Sequence, residues 1–251
     1  MNPTILTLLQ HRSIREFSSR SIDDDVLKTL FDVAMHTSTS RGFQHAAVIR
    51  VRRSDLREQL ANIGGQPYIA RAPELFVGVV DTRRSVRVLE ELGGDPTPAT
   101  SMDAFREGFT DAVLMIQNMT VAAESMGLGV TLLGSILNDI PRLIQLLKLP
   151  QYTFPALGMI CGYPAQQPQL KPRIPTHLRV MDDRYWEPES WTLALSEYDQ
   201  QMATYYDSRD MNRRVDTFTE QIMRKLRSTD VKDAFIDHVR AQGFGSYTQT
   251  S

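Results

Sequence analysis

Two groups of cations open the chemical reading of this 251-residue chain. His11-Arg12-Ser13-Ile14-Arg15 sets an imidazole, two guanidinium groups and a hydroxyl side by side, just past a short stretch from Thr4 to Gln10 whose apolar residues Ile5, Leu8 and Leu9 have helical spacing. Guanidinium groups hold a phosphate through paired, charge-assisted hydrogen bonds, so the cluster suits an anionic phosphate ligand. Lys171-Pro172-Arg173 is a second cation pair, in a Pro-rich loop where proline limits the entropy lost on binding. The two clusters together are what a phosphate site closed from opposite sides requires. Each alone is also compatible with a solvated charged face.

Between them lie Thr37-Ser38-Thr39-Ser40 with Gln44, Gly65-Gln66-Pro67-Tyr68, Gly127-Leu128-Gly129 and Gly134-Ser135. Hydroxyls, amides and glycines that allow close approach can read a flat heteroaromatic ring whose edge alternates donors and acceptors. Taken singly, each is equally a cap or a turn. Other chemistries have no residues to carry them. No Gly-x-Gly-x-x-Gly follows an early strand, which argues against a Rossmann site, and no Walker loop, Ser-His-Asp order or carboxylate pair stands out.

Composition narrows the partners. A net charge of -2 gives no general attraction to nucleic acid or to anionic membranes, so neither is expected as a partner. No run of eighteen apolar residues occurs, and Met1 to Gln10 lacks the features of a secretion signal. The single cysteine, Cys161, cannot make an internal disulfide, and no Cys/His group has zinc-ligand spacing. A soluble, cytoplasmic protein without metal is expected, with Cys161 as a small buried apolar residue.

The elements that must position these groups follow from periodicity. Ile22 to Met35 reads as an amphipathic helix led by three aspartates, and Asp55 to Ile63 as a second helix between strands at Ala46 to Arg52 and Leu75 to Val80. Met102 to Met126 is a long helix with Val113, Ile116, Met119, Thr120 and Ala123 on one face, suited to a buried position or to packing on a second copy. Strands at Val130 to Leu133 and Pro155 to Cys161 flank a helix at Pro141 to Leu147, and Gly93 to Ser101 reads as a turn-rich loop. Trp191 to Gly243 is mostly helical and charged, with Tyr198, Tyr205, Tyr206 and Phe218 as anchors. The expected organisation is a core over residues 1–190 and a helical extension over residues 191–251.

The order of these motifs resembles the oxygen-insensitive NADPH nitroreductase and flavin reductase group of the nitroreductase family. The resemblance spans roughly residues 3 to 243 and rests on five spaced motifs: the cluster at His11 to Arg15, the hydroxyl run with Gln44, Gly65 to Tyr68, Gly127 to Gly129, and Gly162-Tyr163-Pro164 through Lys171-Pro172-Arg173. It implies an α+β nitroreductase-like fold with a mixed, mainly antiparallel sheet flanked by helices. It also implies an interlocked homodimer with FMN at the interface and the C-terminal extension packed on the partner subunit.

By the same resemblance, His11, Arg12, Ser13, Arg15, Lys171 and Arg173 surround the FMN phosphate and ribityl chain. Ser38, Thr39, Ser40 and Gln44 approach the flavin from the partner subunit, and Gln66 and Tyr68 lie near its pyrimidine edge. Leu132, Leu133, Gly134 and Ser135 supply main-chain contacts along the ring, and Arg209, Arg213 and Arg214 meet the NADPH 2′-phosphate. The implied enzyme passes hydride from NADPH through the flavin to a small-molecule electron acceptor in a ping-pong cycle, with nitro compounds, free flavins, quinones or azo compounds as acceptors. A non-catalytic flavin-binding protein of the same fold is the alternative. The chain departs from the family's usual pattern at Arg41-Gly42-Phe43, Gly134-Ser135 and Leu137, all of which bear on the acceptor pocket.

Overall fold

The computed structural model describes residues 1–207, 217–227 and 234–245. The chain divides into two compact units, Met1–Pro168 with Asp233–Ser251, and Gln169–Lys232. This differs from a boundary at 190/191. The extended stretch from Gln169 belongs with the helices that follow it, while the chain end rejoins the first unit.

The first unit is built on four strands, β1 (Ala46–Arg50), β2 (Glu74–Asp81), β3 (Gly129–Leu133) and β4 (Thr153–Gly162), in the order β1-β2-β4-β3 with every adjacent pair antiparallel. Among the described residues the parallel component is a single bridge between Ser13 and Val130. The α+β class and the helix-flanked, mainly antiparallel sheet agree with the expectation. Helices α1 (Pro3–Leu9), α2 (Asp24–Met35), α3 (Ser54–Gly64), α4 (Tyr68–Arg71), α5 (Arg83–Glu91), α6 (Met102–Ser125), α7 (Ile140–Leu147) and, at the chain end, α11 (Ala234–Ala241) complete this unit.

Both faces of the sheet are covered, which is why its central strands are apolar throughout. Along β2, Phe76 and Val80 join a core with α2 and α6, whereas Leu75, Val77 and Val79 join a second core with α3 and α7. In β4 the alternation slips: Phe154 and Ala156 face the α6 side, then Met159 and Cys161 do, across a bulge opposite Gly78 and Val79. One extra residue keeps the same face apolar on both sides of the irregularity.

Helix α6 starts at Ser101, whose Oγ accepts the Ala104 N–H at 3.1 Å. It buries Ala112, Met115, Ile116, Met119 and Ala123 against the sheet, with Val113 only half-buried. Gly108 brings it close: a Cβ there would lie 2.8 Å from Val80 Cγ1 and 2.9 Å from the His45 carbonyl oxygen. Helix α5 is an element that periodicity does not announce, because Val86 is its only buried residue and five of the nine residues of RRSVRVLEE are charged. The loop expected at Gly93 to Ser101 closes in a single 3-10 turn at Thr97–Thr100.

The second unit contains α8 (Trp191–Ala194), α9 (Ser196–Asp207) and α10 (Phe218–Lys225). Its own core is small: Leu178, Leu195, Tyr198 and Met202, with Phe218 edge-on to Tyr198 at 5.3 Å. Asp199 accepts the Thr219 N–H and hydroxyl at 3.0 and 2.6 Å, and a Thr217/Glu220 capping box starts α10. Among the described residues, no helix is long and apolar enough to cross a membrane.

Candidate functional site

The cluster at 11–15 is fixed by main chain. The Ile14 N–H donates to the Val130 carbonyl at 2.9 Å, and the Thr131 hydroxyl donates to the Ile14 carbonyl at 2.6 Å. Ile14 itself is buried against Gly129, where a Cβ would lie 2.6 Å from Ile14 Cγ1. Gly129 therefore makes room for packing, and Gly127, at φ 82°, turns the chain after α6. These two glycines serve the scaffold. Beyond the anchor, Ser18 N–H donates to Tyr163 O at 2.8 Å and Ala165 N–H to Glu16 O at 3.0 Å, so the segment is clamped on both sides.

From this anchored backbone the cations project differently. His11 Nδ1 lies 2.7 Å from Glu124 Oε1, and Arg12 Nη1 donates to the Pro168 carbonyl at 3.2 Å. Arg12 and Glu124 also line an open concavity of about 750 Å³ with Leu6, Gln10 and Pro164. Arg15 is exposed, has no anionic partner among the described residues, and sits 5.9 Å from the Tyr68 ring centroid. A guanidinium held over a ring without a carboxylate keeps its donors for an outside anion.

A second part of the site joins the end of α3 to the turn after β3. Helix α3 stops at Gly65, φ 61°, with Gly65 N–H donating to Asn62 O and Gln66 N–H to Ala61 O, the two bonds of a Schellman ending. The Ser135 hydroxyl donates to Gln66 Oε1 at 2.9 Å. Leu133 is buried in the core beside α3 and α7, Leu132 is half-buried, and both lie on an edge strand, β3. At Gly134 an added Cβ would meet nothing within 4 Å, so the backbone there faces open space. The structure thus brings Arg15 to Tyr68 and Gln66 to Ser135.

The loop carrying Ser38, Thr39, Ser40 and Gln44 is held separately. Three residues on one side of α6 tie it down: Asn118 Nδ2 donates to Thr37 Oγ1 at 3.0 Å, Asp111 Oδ1 accepts the Ser40 N–H at 2.9 Å, and Glu107 Oε2 accepts from Arg41 Nε and Nη2 at 3.1 and 2.6 Å. From α5, Arg84 donates to the Gln44 carbonyl at 3.0 Å. These bonds hold a left-handed backbone at Arg41, Gly42 and Gln44, with φ 51°, 71° and 55°. The non-glycine members of such a turn cost about 1 kcal/mol or more each, which the side-chain bonds offset. None of the described hydrogen bonds or ring contacts links the loop to Arg15, Tyr68, Gln66 or Ser135.

Beneath the loop, His45 is buried, with Nε2 2.8 Å from the Ser85 hydroxyl. Burial holds its pKa below the ordinary 6.5, against the opposing pull of Asp111 and Glu107. His45 Nδ1 and Asp111 Oδ2 are both buried without a partner. Cys161 is buried in the sheet and its thiol is pushed up to about 12 by that burial, so it stays protonated.

Lys171 and Arg173 lie in the second unit, exposed on extended chain, with Arg173 Nη1 donating to the Lys171 carbonyl at 3.1 Å. Arg209, Arg213 and Arg214 lie outside the described residues. Periodicity and motif reading missed Glu124, Asp111, Glu107, Asn118 and His45. A charged residue at 111, set in the apolar stripe of α6, was the available signal. Among the described residues no group of His, Cys, Asp and Glu could hold a metal ion.

The chain belongs to the nitroreductase family: residues 8–163 match the model of that family and residues 171–247 match the model of the nitroreductase family C-terminal domain. It is 34% identical over 247 residues to an oxygen-insensitive NADPH nitroreductase of Salmonella typhimurium, covering 98% of this chain and 100% of the relative. It is 35% identical over 227 residues to an NADPH-flavin oxidoreductase of Vibrio harveyi, covering 90% and 92%. The fold superposes with a TM-score of 0.86 on the Vibrio harveyi NADPH:FMN oxidoreductase solved in complex with NAD+, at 30% identity over 98% of this chain and 100% of the other.

Proposed function

We propose that the protein is an FMN-dependent, NADPH-preferring oxidoreductase that reduces nitro compounds, free flavins, quinones or azo compounds. The observation that carries this reading is the assembly in the first unit of an unpaired Arg15 over Tyr68, a Ser135-Gln66 pair and an open backbone at Gly134, all anchored to β3 and α3. These residues fit a phosphate at one end and a flat ring at the other. Relatives named for NADPH and for flavin, one of them for FMN, support the same cofactors here.

FMN, when bound, supplies the hydride chemistry in a ping-pong cycle, and the protein supplies binding and electrostatics. Arg12, Arg15 and His11 hold the phosphate, and Ser13 meets the ribityl chain. Gln66 and Tyr68 take the pyrimidine edge, and the main chain of Leu132, Leu133, Gly134 and Ser135 runs along the ring. Arg209, Arg213 and Arg214 take the NADPH 2′-phosphate.

Ser38, Thr39, Ser40 and Gln44 serve the flavin of a second subunit. In support of a dimer, α1 presents Ile5, Leu6, Leu8 and Leu9 with no residue buried, and Phe43 and Leu114 are exposed nearby in sequence to the loop and on α6. Such apolar surface is what a second copy covers. The helical extension from residue 191 packs on that partner as far as Lys232, after which the chain rejoins its own first unit.

The test is the visible absorbance of purified protein supplied with FMN, followed by anaerobic mixing with NADPH. A bound flavin that bleaches within the mixing experiment is expected. A protein that retains no FMN overturns the reading, and one that retains FMN without bleaching is the non-catalytic flavin-binding alternative. Arg15→Ala should weaken FMN retention by about 1.5 to 3 kcal/mol, the worth of a hydrogen bond to a charged group. Arg213→Ala should raise KM for NADPH more than for NADH.

A further inference from the structure

Gln66 leaves α3 on a backbone with no freedom. Its N–H donates to Ala61 O at 3.0 Å, its carbonyl accepts the Ile69 N–H at 3.0 Å, and the left-handed Gly65 precedes it. Only the side chain remains to be placed. Ser135 places it, through the 2.9 Å bond from its hydroxyl to Oε1.

The hydroxyl is itself seated. A Cβ on Gly64 would lie 3.1 Å from Ser135 Oγ and 2.8 Å from Ile69 Cδ1, so the missing Cβ forms the slot that Ser135 fills. A serine hydroxyl carries one proton, and Gln66 Oε1 is its acceptor. With Oε1 at the Ser135 hydroxyl, Nε2 is turned away from Ser135. Nε2, with two N–H donors, is the end left without a partner among the described residues.

We propose that Ser135 is a positioning residue that acts through Gln66, locking its amide so that Nε2 is presented as a donor to a carbonyl oxygen on the pyrimidine edge of the flavin. The proposal rests on the FMN reading above. A locked donor has two consequences. Gln66 pairs with a ring carbonyl and not with the ring N–H, and its bond strengthens as electron density on that edge rises, which favours the reduced cofactor over the oxidised one.

The experiment measures the midpoint potential and the FMN dissociation constant of the holoprotein for wild type, Ser135→Ala, Ser135→Thr, Gln66→Met and the Ser135→Ala/Gln66→Met double variant. Ser135→Ala is expected to bind oxidised FMN within about twofold of wild type while losing roughly three- to tenfold in relative affinity for the reduced form, the range of one neutral hydrogen bond. At about 30 mV per tenfold for a two-electron couple, the potential falls by about 15 to 30 mV. Ser135→Thr keeps the hydroxyl and the wild-type potential. In the Gln66→Met background, Ser135→Ala has no further effect. An unchanged potential in Ser135→Ala, or an equal shift with and without Gln66, overturns the positioning role while leaving the flavoenzyme intact. A wild-type protein that binds no FMN overturns the flavoenzyme reading itself, and the positioning role with it.

Discussion

The segment at 11–15 and the loop at 37–45 both carry residues expected at the cofactor, and they are fixed by different means. Ile14 is held by two backbone-directed hydrogen bonds and by a side chain sunk against Gly129. The loop is held by side chains of α6 and α5, three of them charged: Asp111, Glu107 and Arg84. The bond from Ile14 to Val130, main chain to main chain, survives most substitutions because every residue but proline offers the same N–H and C=O. Side-chain anchoring depends on particular residues, so a loop held that way can drift in sequence and shape while the sheet stays unchanged. The departure Arg41-Gly42-Phe43 falls in the second kind of region.

The comparison breaks most severely at Gly129. Gly129→Ala drives a methyl into Ile14, and overpacking of this kind costs about 1 to 3 kcal/mol. Thermal unfolding should show that loss, and FMN retention should fall with it because the cation cluster moves. Asp111→Ala removes the acceptor of the Ser40 N–H and should cost about 1 to 2 kcal/mol, with the loop loosened and the 11–15 segment untouched. Limited proteolysis at 38–44 reads this directly, and cleavage no faster than wild type would mean that the loop is held by something else.

Acid should act on the loop's underside. The folded His45 has a depressed pKa, so between that value and 6.5 the unfolded chain binds a proton that the folded one does not. Stability from this group is full above 6.5 and is lost as pH falls toward the folded pKa. His45→Gln should flatten that part of the pH–Tm curve, in surroundings that include Asp111, Glu107, Arg84 and Asp81. Arg41→Ala breaks a pair whose arginine is 56% exposed and should cost less than about 1 kcal/mol in melting experiments.

Much of the fold was legible because both sheet faces are covered. The runs LFVGVV and the strand ending at Cys161 are apolar without interruption, and α6 repeats its buried residues with helical period. Helix α5 was not, since one buried Val86 makes no stripe. At the site, residue types and order were legible as cations, hydroxyls and glycines. Their partners were not: Asp111 meets Ser40 across 71 positions, and no local pattern encodes a hydrogen bond of that span. Gly129 reads as ligand-directed because a close approach leaves the same mark in sequence whether a ring or an isoleucine fills the gap, and Gly127 because a left-handed turn leaves a glycine too.

The bridge between Ser13 and Val130 has a meaning for association as well as for binding. Strand β3 is one of the two edge strands of the sheet and reads GVTLL, a short apolar edge of the sort that templates intermolecular pairing when uncovered. Residues 13 and 14 lie along that edge and occupy part of its hydrogen-bonding capacity. The segment expected to grip the phosphate is therefore also the guard of the sheet. A ligand that tightens it protects the chain from aggregation, and damage that releases it exposes a sticky edge at the moment the cofactor is lost.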